Sequence, residues 1–397
     1  MKRIGIVAGE KSGDYLGSEL IKSIKLRYPD AEFVGLAGPL MQEQGAVSLA
    51  EMDKISIMGI AGALKSLFVI LGIRRKIHKH MLAWQPDVFI GIDVPDFNLS
   101  LEIKLKQAGI PIVLYVSPTN WAGRGQRIHK IKKSVDLMLT LFPFEAKFYQ
   151  QYSVPVCFVG HNLADSIPFN SETATAREQF NFKADDQIVC LMPGSRGSEV
   201  DKLAPVFIQT AELIHSHNPN VQFILPAAND ARKQQIEQFI NNLSPGVDIN
   251  LIDGNSKACM QTADVILLAS GTATLEGMLL KKPMIVSYIV APLTAMIMKR
   301  LLKQDFISLP NLLAGREVVP ELLQENATAK NLADAVNERL ENENLIQELQ
   351  QTFLSIHKQL KCNANDQAAL AIVNLLESNT YDMAESASAA KTPLDNQ

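Results

Sequence analysis

Short runs of consecutive apolar residues recur along the chain, each closed by a glycine- or proline-containing turn and followed by a helical pattern. In the first part they are Ile4–Ala8, Phe33–Ala37, Val88–Ile92, Ile112–Val116 and Leu137–Leu141. The second part repeats the pattern at Ile188–Met192, Gln222–Leu225, Val265–Ala269 and Met284–Tyr288. None alternates with polar residues, which is the pattern of strands buried on both faces. Such runs alternating with helical segments predict an α/β fold of parallel sheets built from βαβ units. Past Pro320 the pattern becomes helical, through Leu332–Leu340 and Leu345–Leu360, with a last helix over about 366–376.

The 397 residues suit two domains better than one. The pattern breaks between about Asp165 and Asp186, where Ser166–Ser171 and then Glu172–Thr175 are polar and turn-prone. A linker there divides the chain into a first domain over 1–168 and a second over 175–360. A C-terminal helix follows over 361–379, and the Ala- and Ser-rich tail 380–397 is expected to be disordered.

Composition narrows the function. A net charge of −4 and a pI near 6.0 argue against a general nucleic-acid binder. Cys157, Cys190, Cys259 and Cys362 lie far apart, without C-x-x-C or zinc-finger spacing, and read as reduced thiols of a reducing compartment. The apolar start Ile4–Ala8 is too short for a signal-peptide core, and Gly9-Glu10-Lys11 ends it. The uncharged stretch Pro283–Met298 falls short of the roughly 20 residues of a membrane span. The expectation is a soluble or peripheral protein.

In an open parallel sheet, ligands bind beyond the carboxyl ends of the strands, where helix N-termini aim unpaired N–H groups at anions. Four strand-to-helix turns are equipped for this. AGEKSGDYLG (Ala8–Gly17) carries glycines at 9, 13 and 17, which is not the G-x-G-x-x-G fingerprint; it serves equally as a tight turn or a ligand loop. In GIDVPDFNLSLE, Asp93 follows the strand directly, where a catalytic carboxylate would face an interdomain cleft, and Asp96 is placed to cap the next helix. In MPGSRGSEV, Gly194 and Ser195 allow close backbone approach to an anion, and Arg196 can fork onto phosphate oxygens. The alternative there is a plain turn with a surface arginine. In ASGTATLEG, Ser270, Gly271 and Thr272 open a helix bearing Glu276, which can accept from ribose hydroxyls or simply stabilise the helix start. Two such turns in the second domain suggest a diphosphate-bearing ligand, without distinguishing a UDP-sugar from other nucleotides.

Other constellations are weaker. The histidine pairs 78/80 and 215/217 are spaced so that they do not face one another on a helix. H-E-x-x-H, D-x-D, the G-x-S-x-G elbow and the P-loop are all missing, so no metal site is signalled. Between Lys54 and Pro86, six Lys or Arg and no acid interleave with Leu67, Phe68, Val69, Ile70, Leu71 and Ile73. From Ile103 to Val135 the charges are again all basic, Arg124, Arg127, Lys130, Lys132 and Lys133 among them. Such a face fits contact with an anionic bilayer, or a core helix with a solvated basic side. Tyr288–Lys303, with Met296, Ile297, Met298, Lys299 and Arg300, offers a second contact of the same kind or more core.

The motifs AGEKSGDYLG, GIDVPDFNLSLE, YVSPTNWA, PFE and GHNLAD, then MPGSRGSEV, LLASGTATLE, KKPMIV and SLPNLLAGRE, resemble in order those of the lipid-A-disaccharide synthase family, from about Ile4 to Ala369. The resemblance implies a GT-B fold: two Rossmann-like domains facing a cleft, the nucleotide-sugar site in the second, and the C-terminal helix returning to the first. It implies an inverting transfer from UDP-2,3-diacylglucosamine to 2,3-diacylglucosamine 1-phosphate (lipid X). The products are a β-1,6-linked disaccharide 1-phosphate and UDP, as in lipid A (lipopolysaccharide) biosynthesis of a Gram-negative bacterium. No metal or other cofactor and no nucleic acid are implied. The implied location is cytoplasmic, peripheral to the inner membrane, and the family allows a homodimer. By matching motifs Asp93 becomes the general base, Arg196 a diphosphate ligand, and Glu276 and Asn311 nucleotide-sugar contacts. Glu10, with Ser12, Gly13 and Asp14 beside it, becomes an acceptor or donor contact. The chain departs from the family at Gly123, where a tryptophan is usual, at Asn162, where proline is common, and at Ser287, where glycine is usual. Soluble-substrate relatives such as a UDP-N-acetylglucosamine 2-epimerase, or a non-catalytic UDP-sugar-binding module, are the competing readings.

Overall fold

A computed structural model of the chain describes residues 1–56, 63–118, 125–170, 172–243, 246–291 and 305–378. Gly123, Arg124, the contact segment expected around Met296–Lys303 and the tail expected beyond 380 lie outside the described residues. The chain divides into two units, Met1–Asp165 with Leu360–Gln397, and Ser166–Gln359.

In the first unit β1 (Arg3–Ala8), β2 (Glu32–Leu36), β3 (Ala46–Ser48), β4 (Val88–Ile92), β5 (Ile112–Tyr115), β6 (Leu137–Thr140) and β7 (Val156–Phe158) form one parallel sheet. Its order is β3-β2-β1-β4-β5-β6-β7. In the second, β8 (Gln187–Met192), β9 (Val221–Ala227), β10 (Ile249–Asp253), β11 (Val265–Ala269), β12 (Met284–Tyr288) and β13 (Glu321–Leu323) run in the order β10-β9-β8-β11-β12-β13, again parallel. This is the α/β pair of Rossmann-like sheets that the apolar runs predict.

Each central strand divides its side chains between two cores. Ile4 and Ile6 of β1 pack with Leu20, Ile21 and Ile24 of the helix Lys11–Lys25 and with Ala368, Ile372 and Leu375 of the helix Ala364–Ser378. Val7, one residue out of phase, joins Ile77 and Met81 of the helix Ala63–Trp84 and Leu101 and Leu105 of the helix Pro95–Gln107 on the other face. Each such fully buried side chain contributes about 1.5–3 kcal/mol.

Four strands were not marked by the apolar pattern: β3, β7, β10 and β13, which are the outer strands of the two sheets. An edge strand is covered less completely, so it needs no continuous apolar run; β10, Ile-Asn-Leu-Ile-Asp, is polar at two of its five positions. Beyond Pro320, Glu321–Leu323 is therefore strand rather than the helix expected there, and the helical pattern begins only at Ala329. The polar stretch from Thr173 is likewise not a turn but the helix Thr173–Gln179. Its Arg177 is buried, forks onto Asp264 at 2.8 and 2.9 Å and donates to Thr262 O.

The GHNLAD segment binds the returning chain into the first unit. His161 N donates to Leu360 O, and Gly160, at φ +88°, leaves no room for a side chain beside Cys362 and Leu360 O. The Asp165 carboxylate accepts from Asn363 N (2.9 Å) and Ala364 N (2.6 Å) at the start of the last helix, and Asn162 donates to Asn365 Oδ1. Burial holds the His161 imidazole down at about 4, so it stays neutral and accepts from Leu163 N. Losing a capping carboxylate costs about 1–2 kcal/mol. Asp165→Ala should lower stability by that amount in urea titration, with no comparable change for the exposed Asp185→Ala.

Candidate active site

Both sheets reverse direction of growth beside their first strand, the first between β1 and β4, the second between β8 and β11. These are the switch points beyond which open α/β sheets bind ligands. The four turns singled out in the sequence follow β1, β4, β8 and β11, so they stand in pairs at the two switch points.

In the first unit Asp93 leaves β4 with φ +53°, and Val94 follows at φ +43°, ψ +58°. Two successive non-glycine residues in the left-handed region cost about 1–2 kcal/mol each, and a β-branched residue there is an outlier. The surroundings impose it. Asp93 N donates to Tyr115 O (3.0 Å), Asn98 Nδ2 donates to Asp93 O (2.8 Å), and Phe97 and Asn98 N both donate to Val94 O. Asp93 Oδ1 accepts from Val94 N at 2.8 Å, while Oδ2 makes no hydrogen bond among the described residues. The half-buried carboxylate thus has one oxygen engaged and one available. Asp96 is not the helix cap it was expected to be: the turn places Val94 there and Pro95 in the first helical position, which leaves Asp96 exposed in the first turn.

The glycines of AGEKSGDYLG serve this same turn, none at positive φ. A Cβ on Gly9 would stand 2.5 Å from Val94 Cγ2, one on Gly13 3.3 Å from Ala8 Cβ, and one on Gly17 2.6 Å from Met41 Sδ. They let the helix Lys11–Lys25 lie against the end of β4. Glu10, its N-cap, and Ser12 point outward and are exposed. Asp14 is buried and its carboxylate accepts from Leu40 N (3.0 Å) and Met41 N (3.1 Å). It holds the start of the helix Pro39–Glu43, and Gly13 is buried beside it.

In the second unit Gly194 adopts φ +113°, and a Cβ there would overlap Glu199. The Glu199 carboxylate accepts from Ser195 N and Arg196 N at 3.3 Å and from Arg196 Nη1 at 3.1 Å. Glu199 is thus the partner that sequence reading missed: it shapes the turn and steers the exposed guanidinium, at Arg196's side-chain exposure of 78%. An ion pair that exposed is weak and can yield to a phosphate. Ser270 N is held by Ser287 O (3.2 Å), Gly271 caps the helix Thr272–Leu279, and Thr272 is exposed at its start. Burial raises the Glu276 carboxyl, opposed by Lys257.

Asn311 stands differently from the expectation of a nucleotide-sugar contact. It is fully buried; Nδ2 donates to Val319 O and Glu321 Oε1, and Oδ1 accepts from Val318 N and Val319 N, all within 2.9 Å. No hydrogen-bonding capacity remains for a ligand. Its work is to hold the segment between Gly315 and β13, with Glu321 gathering Ile307 N and Ser308 beside it. KKPMIV is also structural at its start: Lys281 donates to Pro168 O, and Lys282 to Ala263 O and Thr173 Oγ1, burial drawing the Lys282 ammonium down to about 8. Among the described residues no His, Cys, Asp or Glu cluster is arranged to hold a metal.

Residues 4–372 match the family described as lipid-A-disaccharide synthetase. The chain belongs to this family. It is 48% identical over 375 residues to the lipid-A-disaccharide synthase of Hahella chejuensis, covering 94% of each chain. With that of Pseudomonas aeruginosa it shares 47% over 375 residues, 94% of this chain and 98% of the other. Among solved structures it resembles the UDP-GlcNAc 2-epimerase of Neisseria meningitidis bound to UDP-GlcNAc, with TM-score 0.61 and 13% identity over 96% and 100% of the two chains. A glycosyltransferase from Rickettsia africae gives TM-score 0.58 and 13% identity over 96% and 99%. These distant likenesses establish the GT-B fold, and the lipid-A-disaccharide synthetase family makes the protein a glycosyltransferase.

The contact between Gly9 and Val94 yields a stability test. Gly9→Ala should cost about 1–3 kcal/mol by overpacking. In a double-mutant cycle with Val94→Ala, which removes the opposing methyls, the penalty should shrink by at least about 0.5 kcal/mol.

Proposed function

We propose that the protein condenses UDP-2,3-diacylglucosamine with 2,3-diacylglucosamine 1-phosphate, inverting the donor's anomeric centre and releasing UDP. The observation that carries this is the strained, glycine-supported turn that presents Asp93 at a switch point, in a chain of this family. Backbone strain of that kind persists where the surroundings over-determine it, as at functional sites. The acceptor 6′-hydroxyl gives its proton to the open oxygen of Asp93 as its oxygen bonds to the anomeric carbon. The bond from that carbon to the β-phosphate oxygen breaks, through a transition state with oxocarbenium character, and UDP leaves with the electron pair. Arg196, Gly194, Ser195 and the Ser270–Thr272 helix start stabilise the charge growing on the diphosphate, and Glu276 accepts from the ribose. Glu10 and Ser12, exposed at the other member of the first pair of turns, are available to a sugar.

A lipid acceptor calls for a membrane surface. The helix Ala63–Trp84 exposes Phe68 (73%), Val69 and Leu71 next to Arg75, Lys76 and Lys79. No helix among the described residues is long and apolar enough to cross a bilayer. The exposed apolar and basic residues of this face support peripheral contact with anionic lipid. Cys190 and Cys259 are buried, in keeping with reduced thiols in a reducing compartment.

In mixed micelles, UDP release should require lipid X and persist with EDTA. Asp93→Asn should abolish turnover while leaving UDP affinity nearly intact; weak UDP binding in that variant would move Asp93 from base to structural support. Arg196→Ala should lose about 10²–10³ in rate. Phe68→Asp should reduce co-sedimentation with anionic vesicles at unchanged UDP affinity, and unchanged sedimentation would remove this helix from the membrane contact.

A further inference from the structure

Beneath the Asp93 turn lies a buried acid that the proposed reaction does not use. Glu102, on the helix Pro95–Gln107, is fully buried, and neither carboxyl oxygen has a hydrogen-bond partner among the described residues. One helical turn earlier, Asn98 is also fully buried; its Nδ2 holds Asp93 O at 2.8 Å, but its Oδ1 has no donor. Residues four apart lie on one helix face. Both side chains crowd the spot where a Cβ of Gly91 would stand: Glu102 Oε1 comes nearest, and Asn98 Nδ2 lies 3.1 Å from it. Gly91 is the glycine that admits them, two residues before Asp93 on β4.

Two buried acceptors without donors on one helix face are costly, and an ionised carboxylate there would be costlier still. One proton resolves both, because a carboxylic acid carries the single O–H donor that Asn98 Oδ1 lacks. We propose that Glu102 is a positioning residue, a neutral acid that donates to Asn98 Oδ1 and so fixes the amide holding the Asp93 carbonyl in its left-handed turn. The relay runs from Glu102 O–H to Asn98 Oδ1, then from Asn98 Nδ2 to Asp93 O. It rests on the reading of Asp93 as the base.

The surroundings favour the neutral form. Burial alone pushes the Glu102 carboxyl up to about 8. Charged groups on the packed elements are engaged or turned away. Arg74 donates to Ser100 Oγ, His78 senses Lys104, and Lys106 pairs with Asp136. Arg75, Lys76, Lys79, His129, Lys130, Lys132 and Lys133 are exposed, and β4 and β5 carry no charge. Since the folded-state value lies above the ordinary carboxyl value of 4.5, the relay is intact at low pH and is lost as pH rises through about 8.

The test compares the full-length wild type with Glu102→Gln, whose amide still donates, and Glu102→Leu, which cannot. Steady-state UDP release is measured from pH 6 to 9.5, with amide hydrogen exchange across residues 93–98 corrected for intrinsic rates. Wild-type kcat should fall above about pH 8, whereas Glu102→Gln should keep the wild-type kcat without that fall. Glu102→Leu should lose kcat by about 100-fold, as for a displaced catalytic group, at unchanged KM and UDP affinity. Exchange across 93–98 should quicken in Glu102→Leu, and in the wild type at pH 9, but not in Glu102→Gln. A Glu102→Gln as impaired as Glu102→Leu, or one sharing the wild type's alkaline fall, overturns the relay, as does equal exchange protection in all three. If Glu102→Leu does not fold, the Glu102→Gln pH profile decides alone. A wild type that releases no UDP defeats the synthase reading, and exchange still judges the relay.

Discussion

Parallel strands joined by right-handed crossovers can grow a sheet in one direction only until the chain returns to the other side of its starting strand. Both units make that return once, after β3 and after β10, and it leaves β1 and β8 flanked by connections that depart to opposite faces. The space above those strands is where no crossover runs. The turns after β1, β4, β8 and β11 open onto these two places, and the cores of both units hold the strand ends that frame them.

At the first of them the protein tolerates a locally unfavourable backbone. Asp93 and Val94 are held left-handed where Tyr115, Asn98 and Phe97 take up the turn's backbone groups, and Gly9 leaves room for Val94. The second place is built on charge rather than strain: Glu199 gathers two backbone N–H groups and a guanidinium. The Glu199 carboxylate seated on those donors stabilises the start of its own helix.

Central strands were legible because burial on both faces demands uninterrupted apolar residues. The outer strands β3, β7, β10 and β13 were not, since one open side relaxes the demand. Site residues divided in the same manner. Asp93, Gly194, Arg196 and the Ser270–Thr272 start stand where strand-end reasoning put them. Asp14 and Asn311 share the polarity of ligand contacts, yet their hydrogen bonds are consumed by backbone far away in sequence, which no local pattern reveals. Asp96 was displaced from its expected cap by one tertiary fact, the left-handed Val94. Asn98 and Glu102 left a faint trace, a polar pair at i and i+4 among Phe97, Leu99, Leu101 and Leu105.

The return of the chain at Leu360 makes the second unit an insertion within the first. During synthesis the face of the first sheet that Ala368, Ile372 and Leu375 cover stays bare until the last helix emerges. About 200 residues of intervening chain take roughly 10–40 s to translate at 5–20 residues per second. The second unit can be complete in that interval, while the first waits with Ile4, Ile6 and Ile21 uncovered on one side. The unit begun first can therefore be completed only last, once Asn363 and Ala364 have emerged to pair with Asp165.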